Sequence, residues 1–169
     1  MAYDFSKVNV LVVESTPEMF KLFKNVLAML EVPERNIESA YSYEEGFEKF
    51  RNGKHDIVIT DWLENPDKGI ELIKEVRKSP ESPNKFVPII MTAGSGHLSR
   101  VIKSRDAGVS EYLVKPFAAY SLAVRLTRVI EKPKPFVVSD AYTGPERRVR
   151  NVEPNGPDRR KENLQIEYE

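Results

Sequence analysis

The sequence predicts an α/β protein: a five-stranded parallel, doubly wound sheet followed by an extended C-terminal tail. Three observations carry this. Short apolar runs of strand length alternate five times with stretches of helical periodicity. That alternation favours parallel strands covered on both faces, because parallel neighbours need right-handed crossovers and helices usually supply them. After Lys132 the periodicity disappears, and Pro, Arg and turn formers take over.

The elements follow in order. VNVLVV at 8–13 is a continuous apolar run, and after Pro17 the residues Met19, Phe20, Phe23, Val26, Leu27 and Leu30 recur at helical spacing. A weak strand is expected near Ile37–Tyr41, a helix near Tyr43–Asn52, a strong strand at Ile57–Thr60 and a helix near Ile70–Lys78, closed by Pro80 and Pro83. Phe86–Met91 reads as the fourth strand, Leu98–Ala107 as a modest helix, Glu111–Val114 as the fifth strand and Tyr120–Ile130 as the last helix. Phe20, Phe23, Phe47 and Phe50 fall on helical faces, which makes them core residues rather than a cofactor box.

Composition removes several classes of function. The 169 residues suit one domain with room for a tail, and 26 basic against 26 acidic side chains give no global pull toward nucleic acid or anionic lipid. Without cysteine there are no disulfides, thiolate metal sites or cysteine nucleophiles. No run reaches the roughly 18 apolar residues that cross a bilayer, and MAYDFSKVNV lacks the pattern of a leader. The expectation is a soluble, cytoplasmic protein with no membrane insertion. His55 and His97 have no partners at ligand spacing and are assigned no chemistry.

Three chemically active side chains follow strand-like runs: Asp61 after DIVIT, Thr92 after PIIM and Lys115, with Pro116, after EYLV. In an open parallel sheet such ends lie side by side, so an acid, a hydroxyl and an amine converge on one crevice. Taken alone, Asp61 reads as an acidic loop residue or a helix cap, and the other two are commonplace; the weight rests on the combination. A carboxylate so placed can form an acyl phosphate when a divalent cation and positive side chains offset the donor's charge. Thr92 could donate a hydrogen bond to a phosphoryl oxygen, and Lys115 could pair with it. Gly94, Ser95 and Gly96 suggest a loop able to respond, or simply a tight turn.

With Thr92-Ala93, Lys115-Pro116-Phe117, Tyr112, Asp61, acidic Glu14 at the end of strand one and Gly69 in the loop region after strand three, residues 7–131 resemble the receiver domain of bacterial two-component response regulators. The type is the single-domain, CheY-like one, here with a short Arg/Pro-rich tail. The resemblance implies a flavodoxin-like receiver fold over 1–131, with Asp61 as phosphoacceptor for a histidine kinase or phosphotransfer protein. It implies that Thr92 and Lys115 contact the phosphoryl group and that Tyr112 swings inward on activation. It also implies Mg2+ at Glu14, Asp61 and the backbone carbonyl of Leu63.

Two departures bear on the metal. Receivers usually close the first strand with two acids, whereas this chain has Glu14-Ser15, and a neutral hydroxyl at Ser15 is a weaker magnesium donor than a carboxylate. In WLENPDKG the proline comes one residue later than in the family, and Lys68 stands where an acid is common. Weak magnesium binding is the expectation. Trp62, next to Asp61, either reports metal entry by fluorescence or simply covers the rim of the pocket.

The resemblance implies a phosphorelay switch acting through protein–protein interaction on the face of helix four, strand five and helix five. Its chemistry would not exceed self-phosphorylation and self-dephosphorylation, and homodimerisation would use the same face. The alternative is a pseudo-receiver, a constitutive interaction module in which Glu14-Ser15 no longer supports magnesium-dependent phosphorylation. Residues 132–169 form the tail, partly disordered or docked: low hydrophobicity favours disorder, whereas Phe136, Val137, Val138 and Tyr142 could pin its first part. GPERR and GPDRR make an imperfect repeat in which Arg147, Arg148, Arg159 and Arg160 could clasp carboxylates of a partner. Nucleic-acid binding is disfavoured by the interspersed Glu146, Glu153 and Asp158 and by the scarcity of stacking aromatics. A flavin site would need a phosphate-cradling glycine that ESTPEM lacks.

Overall fold

The computed structural model describes residues 3–63, 67–147 and 165–167. Five parallel strands, β1 (Val10–Val13), β2 (Ile37–Ala40), β3 (Ile57–Asp61), β4 (Ile89–Ala93) and β5 (Glu111–Val114), stand in the order β2-β1-β3-β4-β5. Helices α1 (Pro17–Met29), α2 (Tyr43–Asn52), α3 (Lys68–Lys78) and α4 (Leu98–Ala107) make the crossovers, and α5 (Ala119–Glu131) follows β5. Alternate residues of each strand serve opposite cores, as a period of two requires. Val10 and Val12 pack with Phe23 and Leu27 of α1 and Leu122 and Leu126 of α5. Leu11 and Val13 pack with Phe47 and Phe50 of α2 and Leu72, Ile73 and Val76 of α3.

Helix boundaries follow from capping chemistry. Pro17 opens α1, where the absent N–H would be unpaired in any case. The Ser42 hydroxyl accepts from Glu45 N and closes the first turn of α2. Gly108 ends α4 at a φ of 110°, a left-handed conformation that favours glycine.

The departures from the sequence reading that bear on the site lie in β4 and α3; the other limits differ by two residues or fewer. The fourth strand begins at Ile89 rather than Phe86: Pro88 has no N–H for the ladder, and Phe86 turns its ring edge-on to Phe136 at 5.2 Å. The same strand runs on through Thr92 to Ala93, because Asp61 and Thr92 pair in register and Trp62 N donates to Thr92 O. Gly69 lies in α3 rather than in the preceding loop region. A Cβ there would stand 2.3 Å from the Asp61 carbonyl oxygen and 2.5 Å from that of Trp62, so only glycine lets the helix come this close to the end of β3.

Beyond α5 the chain builds a second, antiparallel sheet of order β7-β6-β8, from β6 (Phe136–Val138), β7 (Thr143–Pro145) and β8 (Gln165–Glu167). The β6–β7 hairpin packs on the domain, with Phe136, Val137 and Tyr142 buried. Its seat is Arg77 of α3, whose side chain is fully buried. The guanidinium donates to the carbonyls of Gly108, Lys85 and Val87 at 2.6–3.0 Å and lies 4.9 Å from the centre of the Phe136 ring. A buried cation is costly unless its donors are met, and backbone carbonyls meet Nε and Nη1 of this one.

Candidate functional site

The C-terminal ends of β1, β3 and β5 bring one ammonium between two carboxylates. Lys115 follows β5, fixed by its backbone N–H to Ala93 O. Its Nζ donates to Glu14 Oε2 at 2.9 Å and to Asp61 Oδ1 at 3.0 Å. Burial by itself pulls the Lys115 ammonium down, but the hydrogen bonds and charges of Glu14 and Asp61 outweigh it and hold the group above its ordinary value. Glu14 is 1% exposed, and its other oxygen accepts from Thr16 N. A buried carboxylate needs such partners.

Thr92 adjoins Asp61 in the ladder, is 0% exposed, and its hydroxyl has no hydrogen-bond partner among the described residues. Buried hydroxyls are nearly always paired. Tyr112 on β5 is half-buried and donates its hydroxyl hydrogen bond to the Ser95 carbonyl on the β4–α4 loop. Burial raises its pKa above the usual tyrosine value. Asp61, Thr92, Lys115 and Glu14 thus gather at one edge of the sheet, with Tyr112 tied to the loop that follows Thr92.

The oxygen donors suit a hard cation in kind. Asp61 and Glu14 converge on one point, and each carboxylate has lone pairs beyond those already used. The set is sparse: no cluster of three metal-ligating His, Cys, Asp or Glu side chains occurs among the described residues, and Ser15 is exposed. The Leu63 carbonyl accepts from Lys68 N at 3.0 Å, which leaves it one lone pair. Leu63 itself has a φ of 51°, an uncommon conformation for a non-glycine residue.

Around this core lies an arrangement that sequence reasoning missed. The Trp62 ring is 3% exposed, its Nε1 donates to Asp67 Oδ1 at 2.8 Å, and Arg100 of α4 stands 4.7 Å from the ring centre. Asp67 also pairs with Lys103 of α4. Asp67 and Lys103 lie 36 positions apart, and Trp62 and Arg100 are further apart still, so no local spacing announces them. In the hairpin, Arg147 pairs with Asp106 of α4 at 2.7 Å and lies over the Tyr142 ring, whereas Arg148, Arg159 and Arg160 fall outside the described residues. His55 contacts Glu38 at 2.9 Å, far from this edge, and His97 precedes α4. Among the described residues no helix is long and apolar enough to cross a membrane.

Residues 10–127 match the response regulator receiver domain. The chain is 33% identical over 127 residues to chemotaxis protein CheY1 of Helicobacter pylori, covering 73% of this chain and 97% of that one. It is 30% identical over 125 residues to chemotaxis protein CheY-3 of Vibrio cholerae, covering 74% and 93%. The crystal structure of the chemotaxis response regulator CheY4 of Vibrio cholerae superposes with a TM-score of 0.64 at 25% identity, over 72% of this chain and 98% of that one. A converging acid, hydroxyl and amine on a five-stranded parallel sheet, together with this match, place the chain in the family of response regulator receiver domains of two-component signal transduction.

Proposed function

We propose that this receiver takes a phosphoryl group on Asp61 and signals by a change of protein-binding surface, as a switch rather than a classical enzyme. The observation that carries the reading is the Lys115 ammonium bridging Asp61 and Glu14 beside the unpartnered Thr92 hydroxyl. An Asp61 carboxylate oxygen attacks phosphorus and forms a P–O bond. The bond to the leaving group breaks with its electron pair, and that pair departs as imidazole nitrogen from a phosphohistidine donor or as acetate from acetyl phosphate. Lys115 can turn from the carboxylates to a phosphoryl oxygen, and Thr92 gains the acceptor it lacks. Tyr112 can follow once its bond to Ser95 is released.

Family members generally bind Mg2+ at this site. Here Asp61, Glu14 and the remaining lone pair of the Leu63 carbonyl would hold it, and its charge would offset that of the incoming phosphoryl oxygens. With Ser15 exposed and neutral, affinity should fall below that of a site with a further carboxylate. Leu98 and Ile102 of α4, Val114 of β5 and Tyr120 of α5 are exposed apolar side chains, which supports this face as the docking surface for a downstream protein or a second copy. A histidine kinase or phosphotransfer protein would be the donor, in the cytoplasm.

Intact mass after incubation with magnesium and acetyl phosphate tests the reading. The wild type should gain one phosphoryl group and Asp61→Asn none. No gain on the wild type, with another receiver labelled in parallel and a histidine-kinase donor also ineffective, would instead make the chain a constitutive binding module.

A further inference from the structure

The turn that leaves Asp61 is held from a direction that the phosphoacceptor chemistry does not require. Trp62 follows Asp61 directly. Its backbone N–H is bound to Thr92 O, and its carbonyl accepts from Gly69 N at 2.8 Å. Its indole N–H ends on Asp67, and the other Asp67 oxygen ends on Lys103. Arg100, one turn away on the same helix, covers the face of the ring. Hydrogen bonds from Lys103 and Trp62 and the charges of Lys103 and Arg100 hold the Asp67 carboxyl below its usual range, so it is an anion at neutral pH.

We propose that Asp67 is a positioning residue for phosphoryl transfer to Asp61, fixing the Trp62 turn through the indole N–H and anchoring it on α4 through Lys103. The proposal rests on Asp61 being the phosphoacceptor. The angle at which Asp61 meets the donor depends on the peptide that follows it, and the Trp62 side chain is the lever by which Asp67 holds that peptide. Fixing the lever on α4 also ties the turn after Asp61 to the helix that carries Arg100 and Lys103. Trp62 is the single tryptophan of the chain, so its emission reads this arrangement without interference.

The test follows the rate of adduct formation by intact mass and, in the same samples, Trp62 emission and its quenching by iodide. Asp67→Asn keeps an acceptor oxygen for the indole but removes the charge; Asp67→Ala removes both; Lys103→Met removes the cation alone. The expected order of rate is wild type, then Asp67→Asn and Lys103→Met together, then Asp67→Ala at about one tenth of wild type, the scale of a modest misplacement of reacting groups. Iodide quenching should rise in the same order, and melting temperatures should change little. Equal rates and equal quenching in all four proteins would overturn the positioning role. Absence of an adduct on the wild type with acetyl phosphate and with a histidine-kinase donor, another receiver being labelled in parallel, would overturn the assignment of Asp61 and this inference with it.

Discussion

On the function proposed above, Thr92 is unfavourable at rest and useful in action. A buried hydroxyl without an acceptor costs stability, and valine has nearly the same shape without the O–H. Thr92→Val is therefore expected to raise the stability of the resting protein by about 1 kcal/mol, or roughly 2–4 °C in melting temperature. The same change should uncouple Tyr112 and the β4–α4 loop from Asp61 phosphorylation. Calorimetry on the unphosphorylated variant checks the first half; a lower melting temperature would show that the hydroxyl has a partner at rest. The run PIIM marked Thr92 as lying just past a strand end, but not that it lies inside the ladder with its oxygen enclosed. That follows from pairing with Asp61, 31 positions away, which no local pattern encodes. Glu14 and Lys115, 101 positions apart, pose the same difficulty.

At the scale of elements, the parallel sheet was legible because each of its strands is an apolar run bounded by helical periodicity. The limits of α2, α4 and β5 coincide with those the pattern indicates, and the two helices are closed by the Ser42 cap and Gly53 and by Gly108. The arm after α5 was not legible as a sheet: strands of three residues show no period, and the apolar side chains Phe136, Val137 and Tyr142 are explained only by what they meet. Phe86 was misassigned for the same reason, because its partner is Phe136 rather than a neighbouring strand. Nothing in the sequence singles out Arg77 near the end of α3, yet it is the seat of the arm. Arg77→Leu strands three carbonyls and should destabilise the protein by roughly 3 kcal/mol, lowering the melting temperature by about 6–12 °C. Urea unfolding of this variant beside wild type measures it, and a change under about 1 kcal/mol would mean that water replaces the guanidinium without penalty.

At the scale of the molecule, three groups among the described residues move the alkaline limit of stability in the same direction. The Tyr142 hydroxyl, buried and bound to Pro145 O, is pushed from 10.0 to about 12; Tyr112 is raised by burial and Lys115 by its two carboxylates. A group whose pKa is raised on folding adds stability that is complete below its unfolded value and is lost as pH climbs through the folded one. Stability should therefore hold up to about pH 10 and fall between there and about 12, as the unfolded chain releases protons that the folded chain keeps. Tyrosinate absorbance of wild type minus Tyr142→Phe should show a midpoint near 12. A midpoint near 10 would place Tyr142 in water. The Arg77 socket also has a temporal side. Its three carbonyl partners, on Lys85, Val87 and Gly108, all precede the arm in the chain, so during synthesis the guanidinium can be seated before Phe136 leaves the ribosome. The arm is then the last piece to arrive and finds its berth already made. The five-stranded sheet, with Asp61 and Lys115 in place, need not wait for it.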